Sequence, residues 1–189
     1  MPTKTSSQST APSSTDAAER ADVVEALRKH RGLFRVTLSG LTDDQARLRP
    51  TVSALSLGGL VKHLAAVERQ WARFVTDGPA ATPDIDWASV DWTDPPPQVQ
   101  EYVDCFRMLH GECLAGLVAD YESAGAATDE LAMTVDLAAR QPLPAAPWFE
   151  PGASWSARRV FSHVVAETAQ HAGHADIIRE TIDGQKSMG

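Results

Sequence analysis

Apolar side chains recur three and four positions apart in four long segments of this chain and almost nowhere alternate with period two. That period is one face of an α-helix, so each segment predicts a helix whose apolar stripe needs a partner to cover it. In the first segment D-A-A-E (16–19) offers a capping box, Val23, Leu27, Phe34 and Leu38 share a face, and Gly40 is a natural stop. T-D-D-Q (42–45) carries a second capping box over a short turn of helix, closed by Pro50. Ser56 caps a helix over 57–76, ended by Gly78-Pro79. A third long helix is expected to open at the prolines 95–97 and run to about residue 122, with Val99, Tyr102, Phe106, Leu109, Cys113, Leu117 and Tyr121 on one face. Residues 124–153 read as mixed, with a short strand around 133–135. The last helix starts at Ser154 or Ser156 and stops at Gly184.

Four such helices predict an all-α fold, a four-helix bundle with two long connections, 77–97 and 124–153. Connections of that length in a compact domain usually line a site. At 189 residues the chain is one domain, expected over 16–189, behind a tail (1–15) rich in Ser and Thr that cannot offset its own ordering entropy. With 17 basic against 25 acidic side chains the net charge is −8, which argues against a nucleic-acid partner or attraction to anionic lipid. No apolar run approaches ~18 residues and no secretory leader is recognisable, so the expected compartment is the cytoplasm, away from membranes. Cys105 and Cys113, eight apart on one expected helix, lie ~12 Å from each other and read as small core residues.

The last helix carries the chemistry. Its stripe is Val160, Val164, Ala175, Ile178 and Ile182, and His163, Glu167, His171 and His174 fall within or beside it over an arc of about 80°. Burying a carboxylate among imidazoles with no partner costs several kcal/mol, so something should neutralise or ligate these groups. A divalent metal fits, because Glu167 and His171 are four apart and project side by side. His63, at the edge of the second long helix's apolar arc, is the leading third ligand. Glu68 lies inside that arc and reads either as an acceptor for a ligand imidazole or as the ion-pair partner of a nearby Arg. His163 reads as a neighbour of the site, and His30 and His110 as core or pocket-lining residues. Neither H-E-x-x-H, a phosphate-cradling Gly-rich loop nor paired Glu-x-x-His is present.

The stretches SLGGLVKHLAAVERQW (56–71) and HVVAETAQHAGHADIIRETIDG (163–184), with LSGLTDDQARLRP (38–50) ahead of them, resemble the DinB-like superfamily of metal-binding four-helix bundles. More narrowly they resemble its uncharacterised actinobacterial branch, related to mycothiol-dependent maleylpyruvate isomerase. The resemblance implies an up-down-down-up bundle, often a homodimer, with a metal held by one His on the second long helix and a His-x-x-x-His pair on the last. His63 and His171 match two of those positions, and Glu167 stands where the intervening His is usual, as in the His/Glu/His set of the isomerase branch. Zinc is the metal implied, with nickel and iron left open.

Three protein ligands leave a coordination position for a water or for the sulfur of a low-molecular-weight thiol. His174 is then the candidate general acid or base. Arg158, Arg159 and Arg179 are candidates to hold a substrate carboxylate, Arg179 being nearest the apolar face, and Trp87, Trp92, Trp148 and Trp155 are candidates to wall the pocket. The expected activity is a thiol-dependent, mycothiol-type transfer or isomerisation of a small electrophile. A metal-dependent hydrolase with the same ligands, and a non-enzymatic stress-related metal-binding protein, are the alternatives.

Overall fold

Capping sets the helix boundaries. Thr42 and Gln45 form the reciprocal capping box, Ser56 accepts from the Gly59 amide, Ser156 accepts from the Arg159 amide, and Gly184 ends the last helix in the left-handed conformation (φ 78°). The computed structural model describes residues 14–81, 85–86, 89–146 and 148–188. Its elements are α1 (Ser14–Val36), α2 (Asp43–Arg47), α3 (Leu57–Asp77), a 3-10 turn (Gly78–Ala81), α4 (Pro97–Asp104), α5 (Leu114–Thr134), β1 (Arg140–Pro142), β2 (Ser154–Ser156) and α6 (Ala157–Asp183). Helix α1 starts at Ser14, inside the stretch expected to be a tail, of which residues 1–13 lie outside the described ones. No helix among the described residues is long and apolar enough to cross a membrane.

The segment read as one helix over 97–122 is two. Helix α4 ends at Asp104, Gly111 turns the chain with φ 89°, and the Cys113 thiol caps α5 by accepting from the Gly116 amide. Two helices in succession satisfy the same three-and-four spacing, so periodicity alone did not reveal the break. The alanine-rich run after residue 122 then carries α5 on to Thr134, where a strand was expected. The strands lie later: β1 pairs antiparallel with β2, with Gln141 opposite Trp155. His110 is exposed near the turn and His30 is half-buried. Cys105 is half-buried and Cys113 exposed, so neither is a core residue.

Side-chain pairs give the direction of each long helix. Arg31 meets Asp129 and Arg35 meets Glu122, so α1 and α5 are antiparallel. Glu19 meets Arg158 while Arg179 reaches the Thr37 carbonyl, so α1 and α6 are parallel. Lys62 meets Glu112 and Arg69 meets Asp120, so α3 and α5 are parallel. His63 lies against His171 and Trp71 against His163, so α3 and α6 are antiparallel. The order is up-down-down-up, the arrangement of the DinB-like bundle.

Two apolar half-cores fill the bundle. One gathers Phe34, Leu38, Leu60, Leu64, Tyr121, Ala175 and Ile178; the other gathers Val24, Leu27, Phe74, Val75, Val160, Phe161 and Val164. Between them runs a buried charged layer. The Arg31 guanidinium donates to both Glu68 oxygens at 2.6 and 2.7 Å and to Asp129 at 2.7 Å, and Asp129 also accepts from Arg28. Gly125 makes room for it, since a Cβ there would lie 3.0 Å from the Arg31 Nε. Glu68 is fully buried, so truncating it strands a buried guanidinium. Glu68→Ala is expected to cost about 3–5 kcal/mol, read as a lower urea midpoint.

Candidate metal centre

Helix α3 opens on Leu57-Gly58-Gly59, and those glycines let the α4–α5 connection lie directly on its first turn. A Cβ at Gly59 would fall 2.1 Å from the Phe106 carbonyl oxygen, and one at Gly58 2.7 Å from the Met108 Sδ. The close approach lays the Phe106 ring on His63, with centroids 4.4 Å apart and planes 23° from parallel. Across from it, α6 presents His163, Glu167, His171 and His174 on successive turns.

Three donors converge. His63 Nε2 lies 4.0 Å and His171 Nε2 3.7 Å from the same Glu167 oxygen, and one ligand atom from each residue lies within 4.8 Å of the others. Donors around a tetrahedral zinc at about 2.0–2.1 Å are separated by roughly 3.4 Å, so this set closes on such an ion with shifts of a few tenths of an ångström to about an ångström. The other Glu167 oxygen faces His163 Nε2 at 3.7 Å. His174 Nδ1 lies 3.2 Å from His171 Nδ1, the nitrogen turned away from Glu167.

The electrostatics suit a cation. Burial, reinforced by neighbouring His171, pushes the His63 imidazole down to about 4. Burial also lowers His171 and His163, helped by His174 and Arg159 respectively. Glu167 is raised, because burial disfavours its charge, and the nitrogens that face it belong to His63, His163 and His171. Near neutral pH the cluster therefore offers lone pairs on neutral rings around a carboxylate lacking positive charge.

Not every expected residue joins this cluster. Glu68, on the next turns of α3, is taken wholly by Arg31, the ion-pair reading rather than the imidazole-acceptor one. Arg179 is buried and donates to the Thr37 and Ser39 carbonyls and to Asp183, roughly 12 Å along α6 from His171. Its place on the apolar face reflects that structural duty. Trp155 does line the site: it stacks on Trp71 at 5.0 Å, and the edge of His163 meets both indoles. Trp148 is 64% and Trp92 57% exposed, and Trp87 lies outside the described residues.

Sequence reasoning passed over Phe106, Trp71 and Cys105 as site residues. Trp71 sits two turns beyond His63 on α3, a spacing that was readable but looked like core. Nothing in the sequence marked Phe106 or Cys105, because the helix break that brings them here was not legible. The Cys105 sulfur lies 4.0 Å from His63 Nδ1 and donates to the Tyr102 carbonyl; burial pushes this thiol up to about 11, so it stays protonated at neutral pH.

The fold and site define a DinB-like four-helix bundle with a candidate His/Glu/His metal centre between its antiparallel α3 and α6. Within that class, the Mycothiol-S-transferase family model matches residues 22–184, and the chain belongs to that family. A solved structure of a conserved protein from Enterococcus faecalis superposes with a TM-score of 0.60 at 15% identity, over 87% of this chain and 97% of that one, which shows the shared fold. No curated protein matches the chain.

Two outcomes follow from the geometry. Gly59→Ala forces the connection off α3, and the expected result is a fall in thermal midpoint together with faster amide exchange in residues 105–113. In the metal-free protein, acid acts through the histidines. The unfolded chain protonates near 6.5 whereas buried His63 resists until about 4, so stability is intact above 6.5 and falls as pH drops toward 4. His63 alone contributes ~2–3 kcal/mol to that fall, and His163 and His171 act in the same sense. Glu167, with its raised value, opposes them at the acid end. Denaturant melts from pH 7 to 4.5 check the slope, which His63→Gln is expected to flatten.

Proposed function

We propose that this chain is a metal-dependent transferase that joins the sulfur of a mycothiol-type thiol to a small electrophile. The observation that carries the reading is the convergence of His63 Nε2, Glu167 Oε2 and His171 Nε2 in a chain of the Mycothiol-S-transferase family. A divalent cation held by these atoms, zinc by their borderline-soft character, supplies a Lewis acid that favours thiolate over thiol near neutral pH.

The remaining residues shape the surroundings. His171 must keep its Nε2 lone pair for ligation, so its Nδ1 carries the proton and donates to His174 Nδ1. On this reading His174 orients His171 and stands next to the donors as the candidate general acid or base. Phe106 covers one face of His63, and Trp71 and Trp155 pack against His163 beside the donors. Cys105 donates to the Tyr102 carbonyl, and in this reading the nucleophilic sulfur is that of an added thiol. In the reaction a carbon–sulfur bond forms, the thiol gives up its proton, and the electrophile's leaving group or carbanion takes the displaced electron pair.

The test is turnover of a bimane electrophile by zinc-loaded protein with mycothiol, glutathione or no thiol. The expected outcome is catalysis only with thiol, strongest with mycothiol, and a loss of about a hundredfold in kcat/KM in His171→Gln. Hydrolysis of the probe without thiol would replace this reading with the metal hydrolase. Absence of turnover with every thiol would favour a non-enzymatic metal-binding protein.

A further inference from the structure

Each of the three converging donors has one ring nitrogen or oxygen left over, and each left-over atom faces a neighbour. His171 Nδ1 lies 3.2 Å from His174 Nδ1, and His63 Nδ1 lies 4.0 Å from the Cys105 sulfur. For Glu167 the left-over atom is Oε1, since Oε2 is the oxygen that His63 and His171 share. Its neighbour is His163 Nε2, at 3.7 Å.

His163 is not a fourth donor. Among the described residues, the ligand atoms that lie within 4.8 Å of one another belong to His63, Glu167 and His171. His163 stands four residues before Glu167 and His171 four after it, about 6 Å along α6 in each direction. The two imidazoles therefore reach the carboxylate from opposite ends and meet different oxygens.

The His163 ring is held where it is. It packs T-shaped against Trp71 of α3, with centroids 4.8 Å apart, and against Trp155 of β2 at 5.1 Å. The two indoles stack on each other, and the Arg159 guanidinium covers Trp155 with its Cζ 4.1 Å from the ring centre. The β1–β2 ladder sets Trp155 opposite Gln141, whose side chain donates to the Val75 carbonyl of α3. Restrained on these sides, His163 presents Nε2 to Glu167 before any ion arrives.

The contact has one chemical sense. An ionised carboxylate oxygen only accepts, so it selects a ring that carries a proton on Nε2, as both the Nε2–H tautomer and the imidazolium do. Closing 3.7 Å to hydrogen-bond distance takes a movement of ~0.8 Å, the scale on which the donors themselves must close around an ion. A carboxylate can offer a cation one oxygen or both. With Oε1 engaged by an N–H, Oε2 alone is left to ligate, and three protein atoms keep a coordination position open.

We propose that His163 is a positioning residue: braced by Trp71 and Trp155, it donates from Nε2 to Glu167 Oε1, restricts Glu167 to one ligating oxygen, and so keeps a position free for the thiol sulfur. The proposal rests on the metal-centre reading and names what sets the number of open positions there.

The test is cobalt(II) titration of metal-stripped full-length protein followed by visible absorption, with zinc affinity from competition, on wild type, His163→Phe and His163→Gln. Phe keeps the ring against both indoles without a donor, whereas Gln keeps an N–H near the same place. Wild type is expected to show the strong visible bands of a four-coordinate ion. In His163→Phe those bands are expected to fall toward the weak ones of a five-coordinate ion as both Glu167 oxygens bind, with zinc held roughly tenfold to a hundredfold less tightly. His163→Gln is expected to recover most of both, and the metal-free melting temperature of His163→Phe to be no lower than that of wild type. Wild-type bands and zinc affinity in His163→Phe, or a Gln variant as impaired as the Phe variant, would overturn the proposal and leave the metal reading in place. No cobalt uptake by folded wild type would sink the metal reading and this proposal with it.

Discussion

Arg31 is the side chain on which the arrangement of the bundle depends. A guanidinium 8% exposed in the middle of an apolar core is tolerable only if its donors are met, and they are met by Glu68 of α3 and Asp129 of α5. Each of those carboxylates is itself buried and needs the same cation. The layer thus ties three helices at one level, and a slip of any of them by one turn would leave a buried charge alone. Apolar side chains above and below it would accept several axial registers; this layer accepts one.

The register so fixed decides what α3 brings to α6. His63 lies five residues before Glu68, so anchoring Glu68 to Arg31 of α1, together with the Arg158–Glu19 and Arg179–Thr37 contacts that hold α6 on the same α1, sets His63 at the height of Glu167 and His171. Charge is then handled in opposite ways on the two sides of α3. Glu68 is matched by a guanidinium, whereas Glu167 is surrounded by rings that burial keeps neutral. One carboxylate is a structural anion with its counter-ion built in. The other, as we read it, takes its counter-ion from outside the chain.

Much of this is readable in the amino-acid sequence. Residues that report through local rules were found where expected: the Thr42 box, the Ser56 and Ser156 caps, the Gly184 stop, and the column of ionisable groups on α6. The converging donors His63, Glu167 and His171 were also legible, because a carboxylate and imidazoles on an apolar stripe conflict with burial unless they share a purpose. What was not legible depends on tertiary approach. The turn at Gly111 leaves the three-and-four spacing of its flanks intact, so α4 and α5 looked like one helix and Phe106 and Cys105 were misplaced. Arg179 looked like a site residue because a buried arginine on an apolar face has the same pattern whether it meets substrate or backbone carbonyls. Arg31 gave no signal at all, since its partners lie 37 and 98 residues away.

The central question is whether His63, Glu167 and His171 hold a metal. The direct measurement is a calorimetric titration of metal-stripped protein with zinc at pH 7, alongside Glu167→Gln and His171→Ala. One tight site per chain is expected in the wild type, weakened at least about a hundredfold in both variants while their folds persist. No zinc uptake by folded wild type, or uptake unaffected by either substitution, would contradict it.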